Sequence, residues 1–236
     1  MSLPTKPTVV LLQGTFQLPE VYHKLAGLIE SRGFPVVQPS FPSLMDQDDP
    51  DFTKRTLADD AEAVEAVIKK LVAGEGRTVL ALMHSYGGLG PQGARPPGGV
   101  ARLLYCTAFV LPRGQSVATA VGDSADHDHW DGRFKMRVPL TTMYNDLPAD
   151  EAAYWAERVI AQSGAVKETA VERCAYTYLP STYVVCMGDK AVPPQVQEMF
   201  ARLAGSEVRR IESGHSPMLS RPDEVATLVE EAAVAT

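Results

Sequence analysis

The sequence predicts an α/β protein built on a mostly parallel sheet of about six strands, with helices on both faces and an inserted helical cap. Three observations predict it. Short apolar runs rich in β-branched residues alternate with stretches of helical periodicity over most of the 236 residues, the pattern of strands joined by right-handed helical crossovers. The run Val79 to Met83 is apolar throughout rather than alternating, as in a strand covered on both faces. Finally, residues 112–180 lose the rhythm and become rich in His, Asp and aromatic side chains, which marks an insertion into a single domain spanning 1–236.

In order, Thr8 to Leu12 reads as the first strand and ends at Gln13-Gly14-Thr15-Phe16, where glycine permits a tight bend. Val21 to Ser31 carries apolar residues at helical spacing and stops at Gly33. Phe34 to Val37 reads as a second strand, with Pro35 at its start. A loop rich in proline and aspartate, Pro39 to Asp51, precedes a long amphipathic helix over Thr56 to Val72, with Leu57, Ala61, Val64, Ile68 and Leu71 on one face. In this reading Asp59 and Asp60 face water at the start of the helix. Gly74 to Gly76 breaks it, and the Val79 strand follows.

A short or irregular helix is expected around Gly90-Pro91 and Pro96-Pro97-Gly98-Gly99, then a strand over Ala101 to Cys106. Two helical pieces are expected in the insertion, near Ala149 to Gln162 and Ala165 to Ala175. Thr182 to Met187 resumes as strand and ends at Gly188-Asp189. Pro194 to Leu203 reads as helix, Glu207 to Ile211 as the last strand and Ser216 to Ala233 as the closing helix.

The Val79 run ends abruptly in His84-Ser85-Tyr86-Gly87-Gly88. A serine on such a strand-to-helix corner is held in a strained, exposed backbone conformation, the nucleophile elbow written G-x-S-x-G. Here Met83 stands at the first glycine position. In parallel sheets ligands bind beyond the carboxyl ends of the strands, and Gly14, Ser85, Asp189 and His215 share that address. Serine needs a neighbouring base to take its proton. His215, in Ser213-Gly214-His215-Ser216-Pro217, is the candidate base, and Asp189 the carboxylate that orients it. The oxyanion of a tetrahedral intermediate needs two main-chain N–H donors, each worth about 3–4 kcal/mol. Tyr86 and Thr15 are the candidates, with Phe16 in reserve.

These motifs resemble the α/β-hydrolase superfamily over nearly the whole chain, and within it the small hydroxynitrile lyase and plant methylesterase branch with its microbial relatives. The carrying residues are Gln13-Gly14-Thr15-Phe16, His84-Ser85-Tyr86-Gly87-Gly88, Gly188-Asp189 with Val192-Pro193, and Gly214-His215-Ser216-Pro217. The resemblance implies the α/β-hydrolase fold and a Ser85–His215–Asp189 triad in the family's chain order. Gln13 replaces the family's usual histidine, a change main-chain donors tolerate. Lyases of this branch carry a lysine directly after the catalytic histidine; Ser216 here disfavours cyanohydrin cleavage. Ser85 likewise disfavours dehalogenases, which need an aspartate nucleophile, and dienelactone-type hydrolases, which usually use cysteine.

The expected activity is therefore cleavage of a carboxylic ester or lactone of a small, fairly apolar substrate through an acyl-enzyme, with no cofactor. Lyase, cyclase or acyl-transfer chemistry on the same triad is the alternative, and a non-catalytic small-molecule receptor is the alternative from another class. Phe16, Phe109, Trp130, Tyr144 and Trp155 are candidate substrate contacts, as are Phe134, Met136 and Met143. His84 is expected to point into the fold. The run Asp123 to His129 reads as a mobile polar cap loop rather than a metal site, since no matching ligands stand at usable spacing. Cys106, Cys174 and Cys186 have neither disulfide-framework nor metal-ligand spacing. A formal net charge of −7 argues against a nucleic-acid partner. No apolar run approaches the roughly 20 residues needed to cross a bilayer, and the N-terminus lacks a signal-peptide core. A cytoplasmic protein is expected, and its oligomeric state is left open.

Overall fold

The computed structural model describes residues 6–89 and 99–234. The expected helix around Gly90 to Gly99 lies almost wholly outside them. In chain order the elements are β1 (Thr8–Leu12), α1 (His23–Ser31), β2 (Val36–Val37), α2 (Leu57–Lys69), β3 (Val79–His84) and β4 (Val100–Cys106). Residues 112–180 then contribute α3 (Val117–Val121), β5 (His127–Trp130), β6 (Arg133–Met136), α4 (Pro139–Thr142), α5 (Ala149–Ala156), β7 (Gln162–Ser163) and α6 (Ala165–Glu168). The chain closes with β8 (Ser181–Cys186), α7 (Pro194–Ala204), β9 (Glu207–Ile211), α8 (Pro217–Ser220) and α9 (Pro222–Val234).

Six strands form one sheet in the order β2-β1-β3-β4-β8-β9. All its pairings are parallel. The reversal of winding about β1 and β3 opens a crevice at their carboxyl ends, where ligands of such sheets bind. Burial explains the composition: every residue of β1, β3 and β8 is buried, so each must be apolar or satisfied. β9, at the sheet edge, is largely exposed and carries Arg209 and Arg210, charged side chains that blunt an open edge.

The helix starts follow from local chemistry. Thr56 caps α2, taking the Asp59 N–H while the Asp59 carboxylate takes the Thr56 N–H, a reciprocal box that satisfies two amides with no helical partner. Asp59 faces water as expected, but Asp60 does not. The buried stripe of α2 runs through Leu57, Asp60, Val64 and Ile68, three- and four-residue steps that place Asp60, rather than Ala61, in the interior. The closing helix is interrupted at Arg221, because Pro222 cannot donate to a preceding carbonyl, giving the two pieces α8 and α9.

This stretch has helices, shorter than expected, and also a three-stranded antiparallel sheet in the order β5-β6-β7. The strands are only two to four residues long, and β7 begins at Gln162, the last residue of the stretch read as a helix. The run Asp123 to His129, expected as a loop, enters β5 at His127. Alternation in β5 is polar on both faces, so its periodicity carried no strand signal. Among the described residues no helix is long and apolar enough to cross a membrane, and no group of three or more His, Cys, Asp or Glu side chains could hold a metal ion.

Candidate active site

β3 delivers Ser85 at the carboxyl end of the sheet with φ 52. Positive φ is strained for a side-chain-bearing residue. Among the described residues the others at positive φ, glycine apart, are Phe16, Asp46, Thr107 and Asp131; Phe16 and Thr107 belong to the same site. The turn after Ser85 is held by close backbone approach. A Cβ on Gly87 would lie 2.5 Å from the Leu12 carbonyl oxygen, and one on Gly88 2.3 Å from that of Phe109. Glycines at these two positions admit the neighbouring strands' ends, while Met83, fully buried, sits in register between Leu12 and Tyr105.

The three predicted side chains converge. His215 Nε2 is 3.2 Å from Ser85 Oγ, and His215 Nδ1 is 2.8 Å from Asp189 Oδ2. All three residues are at least 95% buried. Asp189 is held by more than the histidine. Its Oδ2 also accepts from Thr107 Oγ1 at 2.5 Å and Gln197 Nε2 at 3.1 Å. Its Oδ1 accepts the Ala191 and Val192 N–H groups at 2.8 and 2.9 Å. Burial alone would raise the Asp189 pKa, but the charge and hydrogen bond of His215 and the donors Thr107 and Val192 outweigh it, and the net displacement is downward. The aspartate is thus kept an acceptor. The loops bearing His215 and Asp189 are fixed by two neighbouring residues: Asp146 Oδ2 accepts the Gly214 N–H at 2.6 Å and Asn145 Nδ2 donates to the Gly188 carbonyl at 3.0 Å.

His84 points into the fold as expected, 3% exposed. Its Nε2 lies 2.7 Å from the His215 carbonyl oxygen, which can only accept, so Nε2 carries the proton. Burial, and the repulsion of His215 behind it, lower its pKa to about 3. It is therefore neutral, and Nδ1 accepts from the Tyr22 hydroxyl at 2.8 Å. The same hydroxyl accepts the Gly14 N–H at 2.7 Å and stands 2.8 Å from the side-chain amide of Gln17. Tyr22 has one hydrogen, which His84 takes, so Gln17 must meet the phenol oxygen with its NH₂. This buried network ties the Gly14-Thr15 loop to the His215 loop, with the Gln17 amide 3.1 Å from Ser216 Oγ.

Thr15, Tyr86, Ser85 and His215 line a cavity of about 340 Å³, inside the range of small-molecule sites. The Thr15 N–H makes no hydrogen bond among the described residues. Tyr86 lies in the first turn of a 3-10 segment over Ser85–Leu89, where N–H groups have no carbonyl within the helix to bond. The cavity wall is mainly apolar, with Phe16, Phe109, Phe134, Met136, Met143 and Val192 among its residues. Asp126, His127 and Lys167 add polarity. Burial, then the nearby His129, lower the His127 pKa, and burial lowers that of Lys167.

Of the five aromatic residues proposed as substrate contacts, Phe16 and Phe109 line this cavity; Trp130, Tyr144 and Trp155 do not. Trp130 is three positions beyond His127 on β5, so it faces the opposite side of the strand and is 42% exposed. Tyr144 is buried below the site, its hydroxyl 3.5 Å from the Gln17 amide. Trp155 packs edge-on against Tyr154. Sequence reasoning missed Thr107, Gln197, Gln17, Tyr22 and His127. Thr107, directly after β4, shares the strand-end address of Ser85 and Asp189, a signal that could have found it. Gln197 carries no local signal, since it reaches Asp189 only through the packing of α7.

Residues 9–228 match the alpha/beta hydrolase family. Over 97% of both chains the protein is 27% identical to alpha/beta hydrolase nvfD of Aspergillus novofumigatus. It is 42% identical to methylesterase 10 of Arabidopsis thaliana over 53 residues, 22% of this chain and 19% of that one. The structure of polyneuridine aldehyde esterase superposes with a TM-score of 0.77 at 19% identity, covering 98% of this chain and all of the other. By its matched length, its sheet and its strand order, this chain belongs to the alpha/beta hydrolase family.

Proposed function

We propose that the protein is a serine hydrolase cleaving a carboxylic ester or lactone of a small, fairly apolar molecule through an acyl-enzyme. The observation that carries this is the relay Asp189–His215–Ser85, at 2.8 and 3.2 Å, opening on a mainly apolar cavity. Ester cleavage in the names of two compared proteins, polyneuridine aldehyde esterase and methylesterase 10, supports the reading.

In this mechanism Ser85 Oγ attacks the substrate carbonyl as His215 Nε2 takes its proton. Asp189 holds the imidazole by Nδ1 and stabilises the cation that forms. The main-chain N–H groups of Thr15 and Tyr86 meet the oxyanion. His215 then gives its proton to the departing alcohol, and the acyl group remains on Ser85. Water, deprotonated by the same imidazole, releases the acid. The imidazole must be unprotonated to begin.

The test is Ser85→Ala assayed on p-nitrophenyl esters, beside fluorophosphonate labelling of the unaltered protein. The variant should lose several orders of magnitude in kcat with unchanged thermal unfolding, and the label should fall on Ser85. Full esterase activity in a clean preparation of the variant would falsify the mechanism. Tight ligand binding without labelling or turnover would favour a receptor.

A further inference from the structure

Asp60 is fully buried, and among the described residues its carboxylate has no cationic partner. Burial raises its pKa, and hydrogen bonds from Ser43 and Tyr86 oppose the rise. An apolar residue at this point in the α2 stripe would avoid the desolvation cost. The carboxylate instead collects three donors. The Ser43 N–H reaches Oδ1 at 2.9 Å, and the Ser43 hydroxyl reaches Oδ2 at 2.5 Å. The Tyr86 hydroxyl reaches Oδ2 at 2.6 Å.

Tyr86 is the residue after the nucleophile. Its N–H belongs to the Ser85–Tyr86 peptide, whose plane is rigid and whose N–H points opposite to its carbonyl. The carbonyl end is fixed, because Ser85 O accepts the Phe109 N–H at 2.9 Å. The other end is confined by the packed turn at Gly87 and Gly88, and its exact direction depends further on how the Tyr86 side chain is held. It is held twice: its ring meets Phe41 edge to face at 5.7 Å, and its hydroxyl is anchored on Asp60. The ring contact resists displacement sideways. The hydroxyl bond, at the far end of the side chain, fixes its reach and direction.

We propose that Asp60 is a positioning residue of the oxyanion hole, fixing through the Tyr86 hydroxyl the direction of the Ser85–Tyr86 N–H. The proposal rests on the hydrolase reading above. Asp60 touches no reacting atom and acts only through Tyr86. Ser43 completes the support and extends it to the insertion, since Gln162 Nε2 of β7 donates to Ser43 Oγ at 2.7 Å. Gln162 pairs in the small sheet with Phe134, a cavity-lining residue.

Tyr86→Phe removes one hydroxyl and leaves the ring, the peptide and Ser85 in place, so it is the decisive variant. It is compared with Asp60→Ala and with the double variant. Readouts are kcat and KM on p-nitrophenyl butyrate, thermal unfolding, and inhibition by an aryl trifluoromethyl ketone, which adds to serine to give a tetrahedral oxyanion. Tyr86→Phe should lower kcat about tenfold with KM within about twofold, and weaken the ketone by the same factor. The double variant should be no slower than Asp60→Ala alone. A merely structural Asp60 would shift unfolding without moving kcat and ketone affinity together.

Unchanged kcat and ketone affinity in Tyr86→Phe would overturn the proposal, as would fully additive losses in the double variant. If Asp60→Ala fails to fold, Tyr86→Phe alone decides. Ser85→Ala separates the two levels. An active Ser85→Ala sinks the hydrolase reading, whereas an inactive Ser85→Ala beside an unimpaired Tyr86→Phe sinks only the positioning role.

Discussion

Acidification from pH 7 to pH 5 should cost the protein about 2 kcal/mol of folding stability through one side chain, His84. In the folded chain burial holds its pKa at about 3; in the unfolded chain it returns to about 6.5. The unfolded state therefore binds more protons between these values, and stability must fall as the pH falls. The contribution is fully present above the unfolded pKa and is lost progressively toward the folded one. At pH 7 the unfolded histidine is about one-quarter protonated and at pH 5 almost wholly so, while folded His84 is neutral at both. Integrating over the two units gives the figure of about 2 kcal/mol. Protonated Nδ1 would also turn a donor onto the Tyr22 hydroxyl and break the hydrogen bond that this hydroxyl donates to it.

Urea unfolding at the two pH values, on the unaltered protein and on His84→Gln, isolates this contribution. Every other titrating group is common to both proteins. The variant should be less stable at pH 7, and its further loss on acidification should be about 2 kcal/mol smaller. The same pH dependence in both proteins would refute the reasoning, since it would mean that His84 is protonated in the fold.

Other expectations follow from the site. Gly87→Ala would drive a Cβ to 2.5 Å from a backbone oxygen, and should destabilise by about 3 kcal/mol with loss of esterase activity, read by thermal unfolding and turnover. Thr107→Val removes the 2.5 Å donor to Asp189 and should cost about 2 kcal/mol at pH 7. Because the folded pKa of Asp189 lies below its unfolded value, that cost should shrink as the pH falls through the folded pKa, which an acid unfolding series measures. Val166 lines the cavity; Val166→Phe should lower kcat/KM for p-nitrophenyl octanoate about fivefold or more relative to the acetate ester.

Much of the architecture was legible along the chain. Thr8–Leu12 occurs at the residues expected, because a buried parallel strand must be apolar over its own length; Glu207–Ile211 does too, although as an edge strand it leaves Arg209 and Arg210 exposed. The insertion was harder. His127–Trp130 is a strand without apolar alternation, paired only because β6 lies beside it. Asp60 shows the same limit within a helix. Its charge argued for water, whereas the stripe through Leu57 and Val64 put it inside, where Tyr86 and Ser43 supply donors.

What the sequence determined by itself is the alternation of strand and helix, the strained corner at Ser85, and the order of serine, aspartate and histidine at strand ends. Each is a property of a few neighbouring residues: apolar period, glycine beside a turn, position after a strand. Which side chains keep company was settled by packing. That Trp130 turns away while Phe16 and His127 face the cavity, and that Thr107 and Gln197 share Asp189, depend on packing between segments far apart in the chain. Hydrogen bonds across such separations arise from how layers stack, and local periodicity carries no record of which side chains will meet.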